Sequence, residues 1–457
     1  MIGCQVTKEA IVIDPHRDAD LYVRAAEEEG LQIRYVSETH IHADYLSGSL
    51  QLARRAGAQL LLSGEGDETW RYGFAEREGA SILHEGDRVQ IGNVTLDVMH
   101  TPGHTPEHIC FQVTDGATAD HPMGIVTGDF LFVGDVGRPD LLEKADGVAD
   151  TMEGAARDLY RSLERLRQMP GYLQILPGHG AGSACGKALG AVPTSTLGYE
   201  MLVNWAFQCD SEEDFVEKVL EDQPEPPAYF ARMKELNRDG PPILDQFPRP
   251  KRMDAEGFGS VLAGGAIVVD ARPAVDFAGG HVPGALSIPL SDDFLTLSGW
   301  LVPYDRPIYL VTRHDEEAIE AARDMASIGL DAVEGYLDAA GLARWTGSGG
   351  ALRNTLEVGW EEAERSRSED GAVLIDVRAF TDWKRGHVPQ AQHAFLGSLA
   401  ERSEEFSRDT PVVLYCQGGK RSAVAASVLR AAGFDDVRSV RGGLAARAAA
   451  GLPIVAE

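Results

Sequence analysis

The feature that most restricts the fold of this chain is an internal repeat in its second half. The segment "IVVDARPAVDFAGGHVPGALSIP" (267–289) is echoed 106 residues later by "VLIDVRAFTDWKRGHVPQAQHAF" (373–395). In both copies an aspartate precedes a histidine by 11 residues: Asp270 and His281, then Asp376 and His387. Each copy continues with a second apolar strand pattern, a loop and an alanine-rich helix pattern. The repeat therefore predicts two small α/β domains of roughly 100 residues each.

The first half of the chain alternates β-branched runs with helical patterns. "EAIVIDP", "IRYVSETH", "MGIVTGDFLFVG" and "LQILPGHG" have the composition of strands, and each ends in a loop that carries histidine or aspartate. We therefore predict an α/β domain over residues 1–222. The proline-rich residues 223–253 are interpreted as a linker, or as an extended segment on a domain surface, and the two repeat copies are placed at 254–350 and 351–457.

The composition argues against several classes of function. The formal net charge is −29 and the pI about 4.8, so binding to nucleic acid or to an anionic membrane surface, which needs basic patches, is not expected. No apolar run approaches the roughly 18 residues of a membrane span, and the first residues show no signal-peptide pattern. The five cysteines are scattered and odd in number, which predicts no disulfide framework and favours a reducing cytoplasm.

Six polar residues of the first domain follow predicted strands, several of them beside glycines. They are His40, His42, Asp44, His104, Asp129 and His179. Three of them belong to "ETHIHADYLSG" (residues 38–48), here called the metal loop. Any one of these histidines alone would more often be structural, but imidazoles and carboxylates at strand ends converge at one edge of a sheet, where metal sites are built. The set as a whole predicts a metal site.

The motifs "THIHADY", "GHTP", "TGD" and "PGHG" together resemble the metallo-β-lactamase superfamily over about residues 1–220. The resemblance implies an αββα sandwich with the metal at one edge. In the two-metal hydrolases of that family a histidine ends the metal loop and serves the second metal, whereas this chain has Tyr45 there. Because a phenol is a poor substitute for a neutral imidazole on zinc, we expect the second site to be impaired.

Within that superfamily the chain is most similar to persulfide dioxygenases, and in particular to bacterial fusions of such an enzyme with rhodanese domains. The resemblance implies one Fe(II) per chain, held by His40, His104 and Asp129. Two histidines and a carboxylate suit non-haem Fe(II) and leave positions open for dioxygen and a substrate. The resemblance further implies that four neighbouring residues orient the ligands or hold water: His42, Asp44, Tyr45 and His179.

Two further residues of the first domain are candidates for contact with the substrate. Arg138, in "GDVGRPDL", matches an arginine loop of the persulfide dioxygenases and is either a grip for an anionic thiol or a surface ion pair. Cys185 lies in the Gly- and Ser-rich stretch after His179, where this chain departs from the stand-alone enzymes that use glutathione persulfide. It is either a relay thiol near the iron or a small buried cysteine, and we prefer the second interpretation.

The second repeat copy carries a candidate nucleophile in "LYCQGGKRSAVAAS". Cys416 follows an apolar strand pattern, and glycines after it let backbone N–H groups point inward at the start of a helix. Such an amide nest beside an arginine lowers the pKa of a thiol and stabilises an anion or a persulfide. This "sulfur loop" (residues 416–421) resembles that of rhodanese sulfurtransferases, with Cys416 and Arg421 catalytic. Four residues between them would cradle the transferred sulfur: Gln417, Gly418, Gly419 and Lys420.

The first copy lacks this chemistry. Aligning the alanine-rich helices places Val311 at the cysteine position and Glu316 at the arginine position. An apolar side chain cannot act as a nucleophile, and an acidic one repels an anion, so we predict a catalytically degenerate structural or docking domain. His281 and His387 are then expected to cap turns rather than to catalyse.

These inferences combine into one predicted pathway. The resemblance implies that a low-molecular-weight persulfide (glutathione, CoA or similar) is oxidised with O2 to sulfite at the iron, and that Cys416 transfers sulfane sulfur to give or use thiosulfate, as in sulfide detoxification. A homo-oligomer is expected from the same resemblance. Two alternatives remain open: a two-zinc thioester hydrolase of the glyoxalase II type, and a non-enzymatic sulfur carrier or sensor that uses Cys416 alone.

Overall fold

The computed structural model describes residues 1–141, 151–180, 185, 186, 190 and 192–456. The chain divides into two compact units, Met1–Asp245 and Gln246–Glu457. No helix within the described ranges is long and apolar enough to cross a membrane.

The first unit begins with a sheet of five strands whose order in space follows the chain. The first pair is antiparallel and the other pairs are parallel. The strands are Ile2–Cys4, Glu9–Ile13, Gln32–Ser37, Gln59–Ser63 and Ser81–Leu83. Helices Ala19–Glu28 and Ser49–Ala56 cover one face of this sheet. Each helix ends before a left-handed glycine, at Gly30 (φ 63°) and Gly57 (φ 64°), as the sequence favours.

A second sheet of six strands packs on the other face of the first. The spatial order of its strands again follows the chain. They are Arg88–Ile91, Val94–His100, Ile109–Asp115, Gly124–Gly128, Gln174–Pro177 and Ser195–Thr196. All neighbours are antiparallel except Gly124–Gly128 with Gln174–Pro177. Helices Met152–Arg167 and Glu212–Leu220 pack on its outer face, near the short helices Leu197–Val203 and Trp205–Gln208. A 3-10 turn, Glu68–Trp70, follows the fourth strand of the first sheet.

Strand alternation explains why the two sheets pack face to face. Ile11 and Leu61 point between the sheets, where they meet Leu96 and Phe111, while Val12 points to the helices outside. The layers are therefore helix, sheet, sheet, helix, which confirms the predicted αββα sandwich.

The proline-rich segment differs from the predicted linker. Residues 223–245 belong to the first unit, and they contain the helix Phe230–Asp239. Residues 246–253 belong to the second unit, where strand Lys251–Arg252 pairs with Val333–Leu337. The prolines flank this helix instead of lying within it, so they set its ends without preventing it.

The second unit contains two α/β domains with the same strand order, all neighbours being parallel. The strands of the first domain are, in spatial order, Lys251–Arg252, Val333–Leu337, Ile308–Val311, Ile267–Asp270 and Leu286–Ser287. The strands of the second domain are, in the same order, Leu356–Val358, Val437–Val440, Val412–Tyr415, Val373–Asp376 and Gln392–His393. Helices of the first copy are Ala255–Ala263, Ala274–Gly279, Phe294–Leu301, Asp315–Ser327 and Ala339–Gly347. Helices of the second are Trp360–Glu369, Phe380–Arg385, Lys420–Ala431 and Gly443–Ala449, with 3-10 turns at Leu396–Ser398 and Glu401–Glu405. Two α/β domains were predicted, and this is confirmed.

The end of the first copy lies slightly beyond the predicted boundary at residue 350. Arg353 forms an isolated bridge with His281, just as Val455 does with His387 in the second copy. The repeat therefore includes a closing segment in each copy, and the segment around Arg353 belongs to the first one.

Candidate active sites

The metal loop and three other loops follow strands of the two sheets that end at the same edge of the sandwich. The strand Gln32–Ser37 precedes His40, and Val94–His100 precedes His104. Strands Gly124–Gly128 and Gln174–Pro177 precede Asp129 and His179. The strand ends thus bring together side chains that are up to 139 residues apart in the chain.

The three predicted iron ligands form one buried cluster. Candidate ligand atoms of His40, His104 and Asp129 all lie within 4.8 Å of one another. The Nε2 atoms of the two histidines lie 3.9 and 3.7 Å from Asp129 Oδ2. Both Asp129 oxygens are buried and accept no hydrogen bond from the residues that the structure describes. His179 Nε2 lies 3.3 Å from Oδ2 without completing a hydrogen bond. A buried carboxylate with incomplete hydrogen bonding is costly, so the cluster fits a cation between His40, His104 and Asp129.

Hydrogen bonds fix the tautomers of both histidines. Thr39 Oγ1 donates to Asp14 Oδ2 at 2.8 Å, so it accepts from His40 Nδ1 at 2.9 Å. His104 Nδ1 donates to the backbone oxygen of Arg138 at 3.1 Å. In both rings Nε2 is therefore the lone-pair atom and points towards Asp129, which is the arrangement a metal ligand requires.

The ionisation of this cluster follows from burial and close charges. Burial lowers the pKa of His104 and holds that of His40 well below its usual value, the neighbouring imidazole of His42 adding to the effect on His40. Burial alone would raise the pKa of Asp129, but His179, His40 and His104 outweigh it and hold that pKa well below its usual range. Two neutral imidazoles thus face an anionic carboxylate.

His108 also belongs to this site, although it was not among the six residues predicted from the sequence. Its Nδ1 lies 2.8 Å from Thr101 Oγ1, and its Nε2 accepts from the Asp129 amide at 3.2 Å. Burial lowers its pKa to about 3, so the ring stays neutral and can accept that bond. A side chain at Gly128 would collide with His108 Nε2, which explains the glycine before Asp129. The available signal was a second histidine four residues after His104.

His42 is turned away from Asp129. Its Nε2 lies 3.1 Å from Asp14 Oδ1 and 3.2 Å from Glu38 Oε2. Burial would lower the pKa of His42, but Asp14 and Glu38 raise it well above its usual value. Burial raises the pKa of Glu38, whereas His42 holds that of Asp14 down, so His42 and Asp14 form the charged pair. A protonated imidazole has no lone pair for a metal.

Tyr45 lies beside His42, and its hydroxyl is directed to Asp14 and not to Asp129. Its hydroxyl donates to Asp14 O at 3.3 Å, and its ring centroid is 4.6 Å from that of His42. Burial raises the pKa of Tyr45 well above its usual value, so the phenol stays protonated. Tyr45 was expected to impair the second metal site; in the structure the contacts of His42 also limit the number of histidines available to a metal.

A second donor cluster lies next to the first. Ligand atoms of Asp44, His179 and Cys185 lie within 4.8 Å of one another. His179 Nε2 lies 3.1 Å from Asp44 Oδ2 and 3.3 Å from Asp129 Oδ2. Burial would lower the pKa of His179, but the two carboxylates raise it well above its usual value. Burial raises the pKa of Cys185 to about 12, which keeps this sulfur a thiol when no metal is bound. Much of the predicted Gly- and Ser-rich stretch (181–184, 187–189 and 191) lies outside the described residues.

Arg138 is placed in a buried ion pair. Its side chain is 1% exposed, and its Nε and Nη2 donate to the two carboxylate oxygens of Asp140 at 3.0 and 2.8 Å. Nη2 also donates to Pro224 O at 2.7 Å. Binding of an anionic thiol by Arg138 stays a prediction. The geometry favours the alternative, an ion pair, but this pair is buried and does not lie at the surface as was predicted. The backbone of Arg138 is what meets the site, through His104.

In the second unit, the sulfur loop connects strand Val412–Tyr415 to helix Lys420–Ala431. Cys416 is 2% exposed, and its Sγ accepts from the Gly419 amide at 3.1 Å. Gly419 has a φ of 96°, which turns its amide inward. The Cys416 and Gln417 carbonyls accept from Leu444 and Ala445 at 2.8 and 3.0 Å.

The remaining residues of the sulfur loop are more accessible. Gln417, Gly418 and Lys420 are exposed, and Arg421 is half-buried. A Cβ at Gly418 would meet nothing within 4 Å, so the space above the loop is open to a small substrate. The predicted loop residues thus surround the cysteine as an amide cradle with cationic side chains at its rim.

The first copy has a different loop, and the predicted alignment needs a correction. Val311 pairs with Asp270 as Tyr415 pairs with Asp376, so the residue equivalent to Cys416 is Thr312, not Val311. Three residues separate the strand from its helix here, against four in the second copy. The helix alignment concealed this shortening. Thr312 Oγ1 donates to His314 O at 2.9 Å, which closes the short loop on itself.

Three segments of the chain match known protein families. Residues 4–179 match the Metallo-beta-lactamase superfamily, and residues 257–346 and 360–450 each match the Rhodanese-like domain family. A crystal structure of a metallo-beta-lactamase from Staphylococcus aureus subsp. aureus COL is 43% identical, with a TM-score of 0.68, and the match covers 74% of this chain and 94% of that chain.

Relatives with named activities are more distant. The persulfide dioxygenase of Mus musculus is 32% identical over 188 residues, which are 39% of this chain and 62% of that protein. The hydroxyacylglutathione hydrolase of Rhodospirillum rubrum is 29% identical over 179 residues, 39% of this chain and 60% of that protein. The chain thus spans about three fifths of the length of these relatives. The names of these two relatives indicate different reactions, and their sequence identities to this chain are nearly equal. Sequence identity therefore does not distinguish the two reactions, and the geometry of the site has to.

Proposed function

Because the chain belongs to the metallo-beta-lactamase superfamily and carries two rhodanese-like domains, we propose that it is an iron-dependent persulfide dioxygenase joined to a sulfurtransferase. The metal centre oxidises the outer sulfur of a low-molecular-weight persulfide, and Cys416 transfers sulfane sulfur to or from the product.

The observation that carries the proposal is the division of the histidines. His40 and His104 offer Nε2 to Asp129, whereas His42 is held by Asp14 and Glu38. A two-histidine, one-carboxylate donor set fits Fe(II) and leaves coordination positions for dioxygen and a substrate. A zinc hydrolase centre with three histidines would need His42 at the metal, away from both carboxylates.

One Fe(II), when bound, would supply dioxygen activation, for the overall reaction R–S–SH + O2 + H2O → R–SH + SO3²⁻ + 2 H⁺. The residues of the chain would hold the iron and orient the side chains that bind it. Thr39 and the Arg138 carbonyl keep Nε2 of both histidines deprotonated. A persulfide would approach beside His179 and Asp44, whose side chains are 21% and 17% exposed, because the three ligands themselves are buried.

The sulfur loop performs the second reaction without a metal. The Cys416 thiolate attacks the outer sulfur of a persulfide R–S–SH, the S–S bond breaks, and the proton of the outer sulfur passes to the leaving sulfur, giving the anion Cys416–S–S⁻ and R–SH. Sulfite then attacks that outer sulfur, giving thiosulfate and regenerating the Cys416 thiolate. The amide of Gly419 and the cations Lys420 and Arg421 stabilise the anionic sulfur in both steps. The same steps reversed use thiosulfate, and tethering raises the effective concentration of the shared intermediate.

The first experiment combines metal analysis with oxygen uptake. Full-length apoprotein loaded with Fe(II) should hold about one iron and consume O2 with glutathione persulfide or CoA persulfide. Asp129→Asn should abolish both, and the matched control Asp97→Asn, which changes a surface pair with Arg88, should alter neither. Full oxygen uptake in Asp129→Asn would reject this metal site. Wild-type protein that consumes no O2 with either persulfide, while Cys416 takes up sulfur, would instead favour a sulfur carrier that works through Cys416 alone.

A second candidate function rests on the cluster of Asp44, His179 and Cys185. These three donors could hold a second metal beside the first cluster, Cys185 replacing the histidine that Tyr45 displaces. That arrangement would suit a two-zinc thioester hydrolase. Two zincs per chain, thioester cleavage, and loss of one zinc in Cys185→Ser would establish the hydrolase and reject the dioxygenase.

A further inference from the structure

The helix Phe230–Asp239 contacts the metal loop through one buried side chain, Asn237. This helix lies outside residues 4–179, which match the metallo-beta-lactamase superfamily. Asn237 is 3% exposed. Its Nδ2 donates to the carbonyls of His42 and Tyr45 at 2.8 and 2.7 Å, and its Oδ1 accepts from the Ser47 amide at 2.9 Å.

The chemistry of these three bonds requires a carboxamide. A single planar group must donate twice and accept once within the same buried space, which asparagine does with its NH2 and its carbonyl oxygen. An aspartate would keep the Ser47 bond but would face two carbonyl oxygens with a carboxylate. A leucine of similar size would leave three buried backbone groups without partners.

The helix is itself fixed to the first unit on both sides of Asn237. The Gly73 amide donates to Arg238 O at 2.8 Å, and Lys234 Nζ lies 3.7 Å from the ring centroid of buried Trp70. Beyond the helix, Arg17 Nη2 donates to Pro242 O at 2.9 Å. Asn237 therefore projects from a supported element, and this element can hold the loop instead of moving with it.

We infer that Asn237 is a positioning residue for the metal centre. It holds the backbone of residues 42–47 in the turn that directs His42 to Asp14 and Glu38 and leaves His40 to the metal. The inference deepens the proposed function and rests on its metal site, but it holds for whichever metal the cluster takes. The helix from the proline-rich segment is then a part of the metal centre.

The test measures metal affinity independently of turnover, by titrating the full-length apoprotein with Co(II) and following its visible absorption. Asn237→Asp should weaken Co(II) binding by about 10- to 100-fold, the effect expected when a partner that orients metal ligands is lost. Glu235→Gln, on the exposed side of the same helix, should stay within about twofold of the wild type.

A second, matched control separates positioning from general stability. Asn204 is also buried and makes the same kind of contacts: Nδ2 donates to Asp135 O and Glu200 Oε2, and Oδ1 accepts from the Ala206 amide. Asn204→Asp should lower the melting temperature of the apoprotein yet leave Co(II) affinity within about twofold. An equal loss of affinity in Asn204→Asp, or wild-type affinity in Asn237→Asp, would overturn the inference.

If Asn237→Asp does not fold, Asn237→Ala is measured by hydrogen exchange and mass spectrometry. Peptides that cover residues 40–47 should exchange at least about tenfold faster, and those that cover Gly124–Gly128 should not change. Unchanged exchange in 40–47 would overturn the inference. If the wild-type protein holds one iron and Asn237→Asp keeps the wild-type Co(II) affinity, the inference about Asn237 is refuted and the proposed function is not. If the wild-type protein holds two zincs and cleaves thioesters, the proposed function is refuted and the inference about Asn237 is not.

Discussion

The two rhodanese-like domains share a scaffold and differ at one loop. Both have five parallel strands in the same order, and both hold a buried aspartate–arginine pair after the equivalent strand: Asp270 with Arg272 and Asp376 with Arg378. In each copy this arginine also donates to the carbonyl of the glycine before the histidine, at 2.9 and 2.6 Å. These residues are present with and without the cysteine, so their shared contacts maintain the fold. In the second copy Arg378 also contacts the sulfur loop, where its Nη1 donates to Gln417 Oε1.

The difference lies in the loop between the strand and the next helix. The second copy has four residues, with Gly419 in the left-handed region, before a helix that begins with Lys420 and Arg421. The first has three, before a helix whose first turn is Asp315, Glu316 and Glu317. Acidic residues at a helix N-terminus stabilise the helix but remove its attraction for an anion. We therefore expect sulfur chemistry to need loop length, glycine and charge as well as a thiol.

The largest expected effect comes from Cys416→Ser. Sulfur transfer from thiosulfate to cyanide should fall by at least about 10³-fold, because the covalent intermediate can no longer form. Thr312→Val at the equivalent place in the first copy should leave the rate unchanged. Residual transfer in Cys416→Ser above about 1% of the wild-type rate would mean that another thiol, or the first copy, carries sulfur.

The second prediction tests loop length against residue identity, in a Cys416→Ser background. Thr312→Cys alone should give no persulfide on the new cysteine, because a three-residue loop cannot form the amide cradle. Replacing residues 312–316 with Cys-Gln-Gly-Gly-Lys-Arg, which adds the missing residue, should give a persulfide that cyanide removes, detected by mass spectrometry. Equal labelling of the two variants would show that a thiol at this place is sufficient.

The third prediction concerns the shared ion pairs. Arg272→Ala and Arg378→Ala each leave a buried aspartate unpaired and should each lower the free energy of unfolding of the second unit by about 3 kcal/mol, measured in urea. Arg378→Ala should also slow sulfur transfer per folded molecule, because Arg378 Nη1 donates to Gln417 Oε1 at 3.3 Å. Arg272→Ala should not. Equal slowing in both would indicate that stability alone accounts for the loss.

The comparison also shows what the sequence could predict of the fold. The repeat, with its fixed spacing of aspartate and histidine, was sufficient for two α/β domains, because those residues form local contacts that recur in each copy. The equivalence of Thr312 and Cys416 could not be predicted from the sequence, because it depends on which strand residues pair. Val311 pairs with Asp270, and Tyr415 pairs with Asp376. Aligning helices hides a residue lost before the helix begins.

The metal site also has features that the sequence could predict and features that depend on tertiary contacts. The meeting of His40, His104 and Asp129 was predictable because polar residues that follow strands converge at one edge of a sheet, but the choice of these three as ligands came from the resemblance to persulfide dioxygenases. The contacts of Asp14 depend on tertiary packing, since Asp14 has a φ of 50° and lies 28 residues before His42. The bonds of Asn237 to the loop also depend on it, since they span 190 to 195 residues. Proline-rich composition concealed the helix that carries Asn237, because the prolines lie at its flanks.

The smallest expected effect concerns the histidines of the two copies, which were predicted to cap turns. His281 Nδ1 donates to Phe277 O at 2.9 Å, and its ring stacks on Phe277 at 3.8 Å; His387 does the same with Trp383, at 3.0 and 3.6 Å. His281→Gln and His387→Gln should each lower the free energy of unfolding at pH 7.5 by about 1 kcal/mol, with no change in sulfur transfer.

The pH dependence of this loss distinguishes a neutral buried ring from a charged one. Burial lowers the pKa of His281, so the folded state resists a proton that the unfolded chain takes up below about pH 6.5. The stability that His281 contributes is thus complete above that pH and falls as the pH falls. Urea unfolding at pH 7.5 and 5.0 should therefore show a smaller difference between wild type and His281→Gln at pH 5.0. A larger difference there would mean that His281 is cationic in the fold and works as an ion-pair partner, not as a cap.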